Sequence, residues 1–414
     1  MGLSKLFRGE SAVLRGNFLL ITISWIIMFG ASPISGTYAS LYYKDLGASD
    51  FLLSIIGVAG SLAIAFVQFP GGYLADKHGR RRIVVWMTFG LAVGTLFFVF
   101  APSWQYIVLG MIIQNICAIY GPALMAMVFD SLPPENRGAG FSFQSAITNL
   151  VYLPGPLIAQ FLIFYFHFNL GMRIAYAILT AAYFAAAVIR FGLKETLPAS
   201  DNGEKLSFLA VLRDYPRSVK EGLLVWRAVP KSAFHLFLAI ITVSGLVVSC
   251  QMYFVVYATS ILKMSTYQWA IVQTFMYLSI FLPVITAGFF MDKIGRKHFL
   301  IAGYLLCVPG MLLFLNGNFY TLLLAFFLFG LGNALQLNSY QILMGDLIPR
   351  GLRGKATGCM QFFAFIMQAI LQLLVGFMYA YVAPWLPFAL LALTMIPVAF
   401  FVFWKVQEAE VKEI

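Results

Sequence analysis

Twelve long apolar runs limit this chain more than any other feature. They lie at about 17–42, 51–75, 83–101, 105–130, 139–166, 173–193, 232–261, 267–291, 299–316, 319–345, 356–382 and 384–404. A helix needs about 20 apolar residues to cross the hydrocarbon of a bilayer. In lipid, a spanning backbone must satisfy its own polar groups, which leaves helices and closed barrels. The runs are too long and too uniformly apolar for barrel strands. The expected class is therefore an all-α membrane protein with twelve transmembrane helices. Composition agrees, since only 10% of the 414 residues are charged, against about 25% in soluble domains.

The net charge of +11 raises nucleic acid as a partner, but its distribution argues against one. With the N-terminus inside, 24 of the 27 Lys and Arg fall in cytoplasmic segments, and only Lys44, Arg173 and Lys263 lie outside. That asymmetry sets orientation in a membrane. We expect a multi-pass protein of the cell membrane, with both termini cytoplasmic and the lipid bilayer as its partner. The lead residues Lys5, Arg8 and Arg15 imitate a signal peptide. The apolar run after them is too long for one, so it is kept as the first span.

One loop occurs twice. Gly72-Tyr73-Leu74-Ala75-Asp76-Lys77-His78-Gly79-Arg80-Arg81-Arg82 returns 216 residues later as Gly288-Phe289-Phe290-Met291-Asp292-Lys293-Ile294-Gly295-Arg296-Lys297-His298. The same offset carries Asp130 onto Asp346, Pro133 onto Pro349, Arg137 onto Arg353 and Gly138 onto Gly354. The chain is thus a duplicated unit. Residues 1–193 form one six-helix bundle, 194–230 a cytoplasmic linker and 231–414 a second bundle. A parallel repeat of this kind is a known transporter plan.

The loop G-x-L-x-D-x-x-G-R-[RK]-[RK] between the second and third spans resembles the signature of the major facilitator superfamily. The resemblance runs over the whole chain in helix count, loop order and repeat. It implies two pseudo-symmetric six-helix bundles and transport by alternating access. It also implies a cytoplasmic gate in which Arg80 pairs with Asp130 while Asp76 meets a neighbouring helix start. Gly72, Gly79, Asp292, Arg296 and Asp346 belong to the same two loops. Gly79 is suited to the left-handed backbone that ends a helix. A static clamp is the alternative to a gate.

The first span carries Pro33 and Gly36 in its outer half, which marks a broken or kinked helix. The fifth reads Leu153-Pro154-Gly155-Pro156-Leu157-Ile158-Ala159 and resembles part of the G-P-x-x-G-G stretch of drug antiporters, with Ala159 and Gln160 in place of its last two glycines. A double-proline kink is the structural alternative. Polar residues lie along single helical faces: Gln114 and Asn115; Gln144, Thr148 and Tyr152; Gln251, Tyr253 and Tyr257; Gln273 and Tyr277; Asn333, Gln336 and Tyr340; Gln361, Gln368 and Gln372. Unpaired amides are costly in hydrocarbon, so these faces point inward. About half are expected to hold helices together and half to line a substrate cavity. The linker is expected to hold a surface amphipathic helix, and the tail around Glu408 to be solvated.

All sixteen acids fall in loops or at span ends, as do Lys and Arg. Intramembrane charges usually mark ion or substrate pathways, so the expected cavity is electrically neutral. Proton coupling, if present, would use Asp76, Asp130 or His235. Cys117, Cys250, Cys307 and Cys359 show no metal spacing, and no cofactor is expected. A membrane enzyme would need a nucleophile and base at depth, which the spans do not offer. A receptor-like sensor is argued against by two recognisable loops. The leading expectation is a monomeric secondary transporter exporting neutral or lipophilic small molecules. The alternatives are uptake or facilitation of a neutral polar solute such as a sugar or nucleoside, and a lysolipid flippase.

Overall fold

A computed structural model describes residues 16–132, 137–197, 220, 224, 229–348 and 353–408. Within its helices, the side chains of 69–78, 137–139, 141–142, 282–294 and 353–355 lie outside the described set. Most of the expected linker helix therefore lies outside the described residues.

The described residues are helical throughout. In order they are α1 (Gly16–Gly36), α2 (Ala39–Asp45), α3 (Asp50–His78), α4 (Arg80–Val99), α5 (Trp104–Cys117), α6 (Gly121–Asp130), α7 (Arg137–Tyr152), α8 (Gly155–Phe166) and α9 (Phe168–Arg190). Then come α10 (Lys231–Ser260), α11 (Thr266–Ile294), α12 (Arg296–Leu315), α13 (Phe319–Leu347), α14 (Arg353–Phe377) and α15 (Leu386–Lys405). Among the described residues, eleven segments are long and apolar enough to cross a membrane. The 29-residue α11 corresponds to the remaining expected span; its side chains from 282 onward are not described.

Three spans depart from single helices. The first stops at Gly36 and resumes as α2 after a turn at Thr37 and Tyr38. The fourth is interrupted by a tighter three-residue turn, Ala118–Tyr120, before Gly121 and Pro122 restart it as α6. The fifth breaks at Leu153 and Pro154, between α7 and α8. At that break Gly155 lies against α1: a Cβ there would come 2.3 Å from Pro33 Cγ and 3.3 Å from Ile34 N. The glycine lets two irregular spans touch at backbone distance.

Cα packing divides the chain into two compact units. The first comprises residues up to Gly36 and Phe66–Ser218. In it α9 packs on α4 and α1, α4 on α5, and α1 on α7 and α8. Its core joins Phe18, Ile21 and Trp25 to Val84, Met127 and Leu193.

The second unit comprises Thr37–Ala65 and the chain from Val219 onward. In it α12 packs on α13 and α15, α11 on α13, and α10 on α14. Its core is aromatic. Phe254 meets the rings of Phe314, Phe326, Phe329 and Phe388 at centroid distances of 5.3–5.7 Å. Residues from the α2 region and the start of α3 bond into this unit: Tyr38 OH donates to Thr266 O at 2.7 Å, Trp269 Nε1 to Thr37 O at 3.3 Å and Tyr253 OH to Asp50 O at 2.9 Å.

Candidate functional site

The repeated loop builds the same cluster in each unit. Gly79 has φ +87° and Gly295 φ +102°. That left-handed backbone turns the chain sharply from α3 into α4 and from α11 into α12, and glycine takes it without a Cβ clash. The next residue is an arginine. Arg80 Nη1 donates to Asp130 Oδ2 at 2.6 Å, and Arg296 pairs with Asp346 in the same way. The cations start α4 and α12, where the helix dipole opposes them. Asp130 and Asp346, at or near the ends of α6 and α13, offset that. Gly72, Asp76 and Asp292 lie outside the residues whose side chains are described.

Two glutamates complete the clusters. Glu195 Oε2 accepts from the backbone N–H of Arg81 at 3.0 Å, and Glu408 Oε1 from that of Lys297 at 2.7 Å. Each carboxylate satisfies a helix-start donor and answers the positive dipole end. The tail at Glu408, expected to be free in solvent, is thus tied to the start of α12. Arg81 Nη2 also donates to Phe191 O at 2.7 Å, and Lys297 Nζ to Phe403 O at 2.6 Å.

Several members of the polar faces make defined hydrogen bonds. Gln114 Nε2 donates to Thr95 Oγ1 at 2.8 Å, and Asn115 Nδ2 to Met111 O of its own helix at 2.9 Å. Gln336 is buried and donates to Gly303 O at 3.0 Å. Gln368 Nε2 donates to Ser61 Oγ at 3.0 Å, and that hydroxyl donates to Gln372 Oε1 at 3.0 Å, joining α3 to α14 inside the second unit. Tyr257 is buried, and its OH donates to Leu315 O at 2.8 Å. Apart from Asn115, these groups hold helices together in this conformation. Gln144 differs, because its buried Oε1 has no hydrogen-bond partner. Tyr152 is half-buried and stacks on Phe29 at 5.8 Å. Gln273 is buried, Asn333 and Tyr340 are half-buried, and Gln251 and Gln361 are exposed. His235 Nδ1 lies 3.3 Å from Lys405 O, fixing α10 to the end of α15.

One half-open cavity, with Phe234 and Ile370 exposed at its rim, is formed almost entirely by hydrocarbon. It measures about 380 Å³ and lies between α10 and α14. Phe234, Phe237 and Ile241 line one side, and Phe363, Met367 and Ile370 the other.

A family profile described as Major Facilitator Superfamily matches residues 20–286 and 265–413. The chain belongs to the major facilitator superfamily. That membership agrees with the eleven described segments long and apolar enough to cross a membrane. This facilitator is similar to a Na(+), Li(+), K(+)/H(+) antiporter of Planococcus maritimus, 28% identical over 196 residues that cover 44% of this chain and 42% of the relative. It is also similar to the quinolone resistance protein NorA of Staphylococcus aureus, 26% identical over 36% of this chain and 37% of the relative. The match thus spans less than half the length of either relative. Over 94% of its length the facilitator shares its fold with the nucleoside transporter NupG, 98% of which is covered at TM-score 0.70 and 15% identity.

Besides Glu195 and Glu408, sequence reasoning passed over a buried cation of this facilitator. Arg190, the last residue of α9, is 0% exposed. Its place at a span end hid this, because a long cation there is expected to reach outward to water. The expected neutrality of the interior therefore does not extend to the first unit.

Proposed function

We propose that this transporter exports lipophilic small molecules by alternating access. The observation that carries this reading is the hydrocarbon-lined cavity between α10 and α14. Its volume of about 380 Å³ falls within the usual range for a small-molecule site, roughly 300–1,000 Å³. Six named side chains line it without one hydrogen-bonding group, so a sugar or nucleoside would lose its water there without replacement. The neutral polar solute is further disfavoured because Gln114, Gln336 and Gln368 already spend donors on neighbouring helices. The similarity to the quinolone resistance protein NorA supports a drug-like substrate, and the similarity to the antiporter supports a proton as coupling ion, each over the matched part only.

In this reading the protein acts as a monomer in the cell membrane, with both termini cytoplasmic as the charge asymmetry argues. Arg80 and Asp130, with Asp76, form the cytoplasmic gate, and the second loop with Asp292, Arg296 and Asp346 mirrors it. The Ser61–Gln368–Gln372 bonds join the second span to the eleventh and must break during a transport cycle. A proton is the coupling ion, carried by the acids of the first cluster.

The test is flux in everted proteoliposomes loaded with a lipophilic fluorescent dye. Dye movement driven by a pH gradient and lost when that gradient is collapsed is the expected result. Flux that ignores the gradient removes the proton. Flux of uridine or glucose in place of the dye overturns the substrate class.

A further inference from the structure

The last residue of α9 points the wrong way for a membrane cation. Helical side chains lean toward the N-terminus of their helix. From a C-terminal position that lean carries Arg190 back into the bundle. Its Nε donates to Ser24 Oγ at 3.0 Å and its Nη1 to Thr88 Oγ1 at 2.6 Å. Both acceptors sit eight residues past the start of their helices, α1 and α4, or about 12 Å along the axis.

The charge is not neutralised there. Ser24 gives its own proton to Ile21 O at 2.7 Å, and Thr88 gives its proton to Val84 O at 2.6 Å. Both hydroxyls therefore face the guanidinium as oriented acceptors and bring no negative charge. Among the described residues the ion pairs are Lys44–Asp50, Arg80–Asp130 and Arg296–Asp346, and none includes Arg190. Its Nη2 is buried and meets no acceptor in hydrogen-bond geometry, while the side chain of Tyr120 interacts with the same guanidinium. A guanidinium stays protonated in proteins, and a buried charge without a counter-ion is strongly unfavourable.

The fold does not require this charge. Lys405, the last residue of α15, holds the corresponding helix end in the second unit and is exposed. The repeat offset carries Thr88 onto Tyr304 and Tyr120 onto Gln336, which are neutral. One half thus builds the same kind of bundle without the buried cation.

The guanidinium also has an aromatic cover. The Tyr120 ring lies 5.1 Å from Arg190 Cζ. Tyr120 ends the tight turn Ala118–Tyr120 that interrupts the fourth span. A short stretch of this kind within a helix often marks a hinge. Tyr120 and Tyr183 pack on the same apolar cluster as Met28 and Cys117.

We propose that Arg190 is the anion-binding element of a substrate subsite in the first unit, taking the carboxylate, sulfonate or phosphate of an otherwise lipophilic molecule on its unbonded Nη2 edge once Tyr120 moves aside. The proposal rests on the lipophilic reading above and narrows it to amphiphilic acids. A hydrogen bond to a charged group contributes about 1.5–3 kcal/mol, or about a tenfold to hundredfold preference for acid over ester.

The experiment is equilibrium binding of radiolabelled dodecanoate and methyl dodecanoate to the full-length protein in phosphatidylcholine nanodiscs. Wild type is expected to prefer the acid at least about tenfold, Arg190→Lys to keep a preference and Arg190→Gln to bind both alike. The wild-type comparison stands even if the Gln variant fails to fold. Equal binding of acid and ester by wild type overturns the subsite and leaves the lipophilic reading intact. A preference for acid that survives in Arg190→Gln overturns it as well. If glutarate binds in an Arg190-dependent manner while neither dodecyl probe does, the anion subsite stands and the lipophilic reading falls. If phosphatidylglycerol nanodiscs abolish dodecanoate binding to wild type, the site belongs to a lipid headgroup and the substrate assignment falls.

Discussion

The two repeated loops agree where they shape the backbone, and the bundles beside them differ where they could meet a substrate. Gly79 and Gly295 share a left-handed turn, each followed by an arginine paired with an aspartate and a helix start held by a distant glutamate. Away from the loops the likeness ends. The first unit buries a cation among hydroxyls and tyrosines, and the second buries a cluster of phenylalanines. Features that recur are those any six-helix unit needs to turn and close its chain. Features that occur once are free to serve transport, which is why Arg190 and the hydrocarbon cavity carry the functional proposals.

The largest expected difference lies in the cores. Phe98 and Phe314 occupy equivalent repeat positions and are both buried. Phe98 stacks on Tyr176 at 4.9 Å, whereas Phe314 meets Phe254, Tyr257, Phe326 and Phe388 at 4.9–5.5 Å. Phe314→Ala should cost about 3–5 kcal/mol and exceed Phe98→Ala by roughly 1 kcal/mol, measured by thermal unfolding in detergent. Equal losses would mean the aromatic cluster adds nothing beyond burial.

Next are the turns. Gly79→Ala and Gly295→Ala force a side chain into a left-handed backbone, at a cost of about 1–3 kcal/mol each. The added Cβ would lie 2.9 Å from Glu195 Oε2 in the first and 3.3 Å from Glu408 Oε1 in the second, so the first should be worse. Loss of the Gly79 variant alone from the membrane fraction would sharpen the comparison. Equal tolerance of both would break it.

Smaller stability effects attend the carboxylates. Asp130 and Asp346 side chains are 45% and 31% exposed, and pairs this open contribute about 0–1 kcal/mol. Asp130→Asn and Asp346→Asn should leave unfolding temperature nearly unchanged, yet Asp130→Asn should slow dye flux several-fold. A clear drop in stability without a change in flux would make the pair a static clamp. Glu195→Gln and Glu408→Gln remove a charge at a helix start and should each cost about 0.3–1 kcal/mol, with little effect on dye flux.

Much of this architecture could be read from the chain. The apolar runs located the spans, and the duplicated loop pointed to the Arg80–Asp130 pair and its echo. The breaks after Gly36 and at Pro154 fall in the two stretches whose Pro and Gly content marked them as irregular. The glutamates escaped notice because the repeat slips there: Glu195 and Glu408 are 213 residues apart, not 216. Helical spacing showed which face of a span was polar but not what that face meets. Gln114 reaches Thr95 and Gln336 reaches Gly303, contacts that depend on how the helices pack. Arg190 escaped for a related reason, since a span-end cation can lean toward water or away from it, and only its neighbours decide.

The glutamate contacts also impose an order on synthesis. Arg81 N and Glu195 are 114 residues apart, and Lys297 N and Glu408 are 111 apart. At about 5–20 residues per second, the start of α4 waits on the order of ten seconds before its carboxylate leaves the ribosome. Each of these helix starts is therefore fastened by a residue made more than a hundred positions later, and a nascent chain halted after the fifth span would lack the contact that fastens the start of the third.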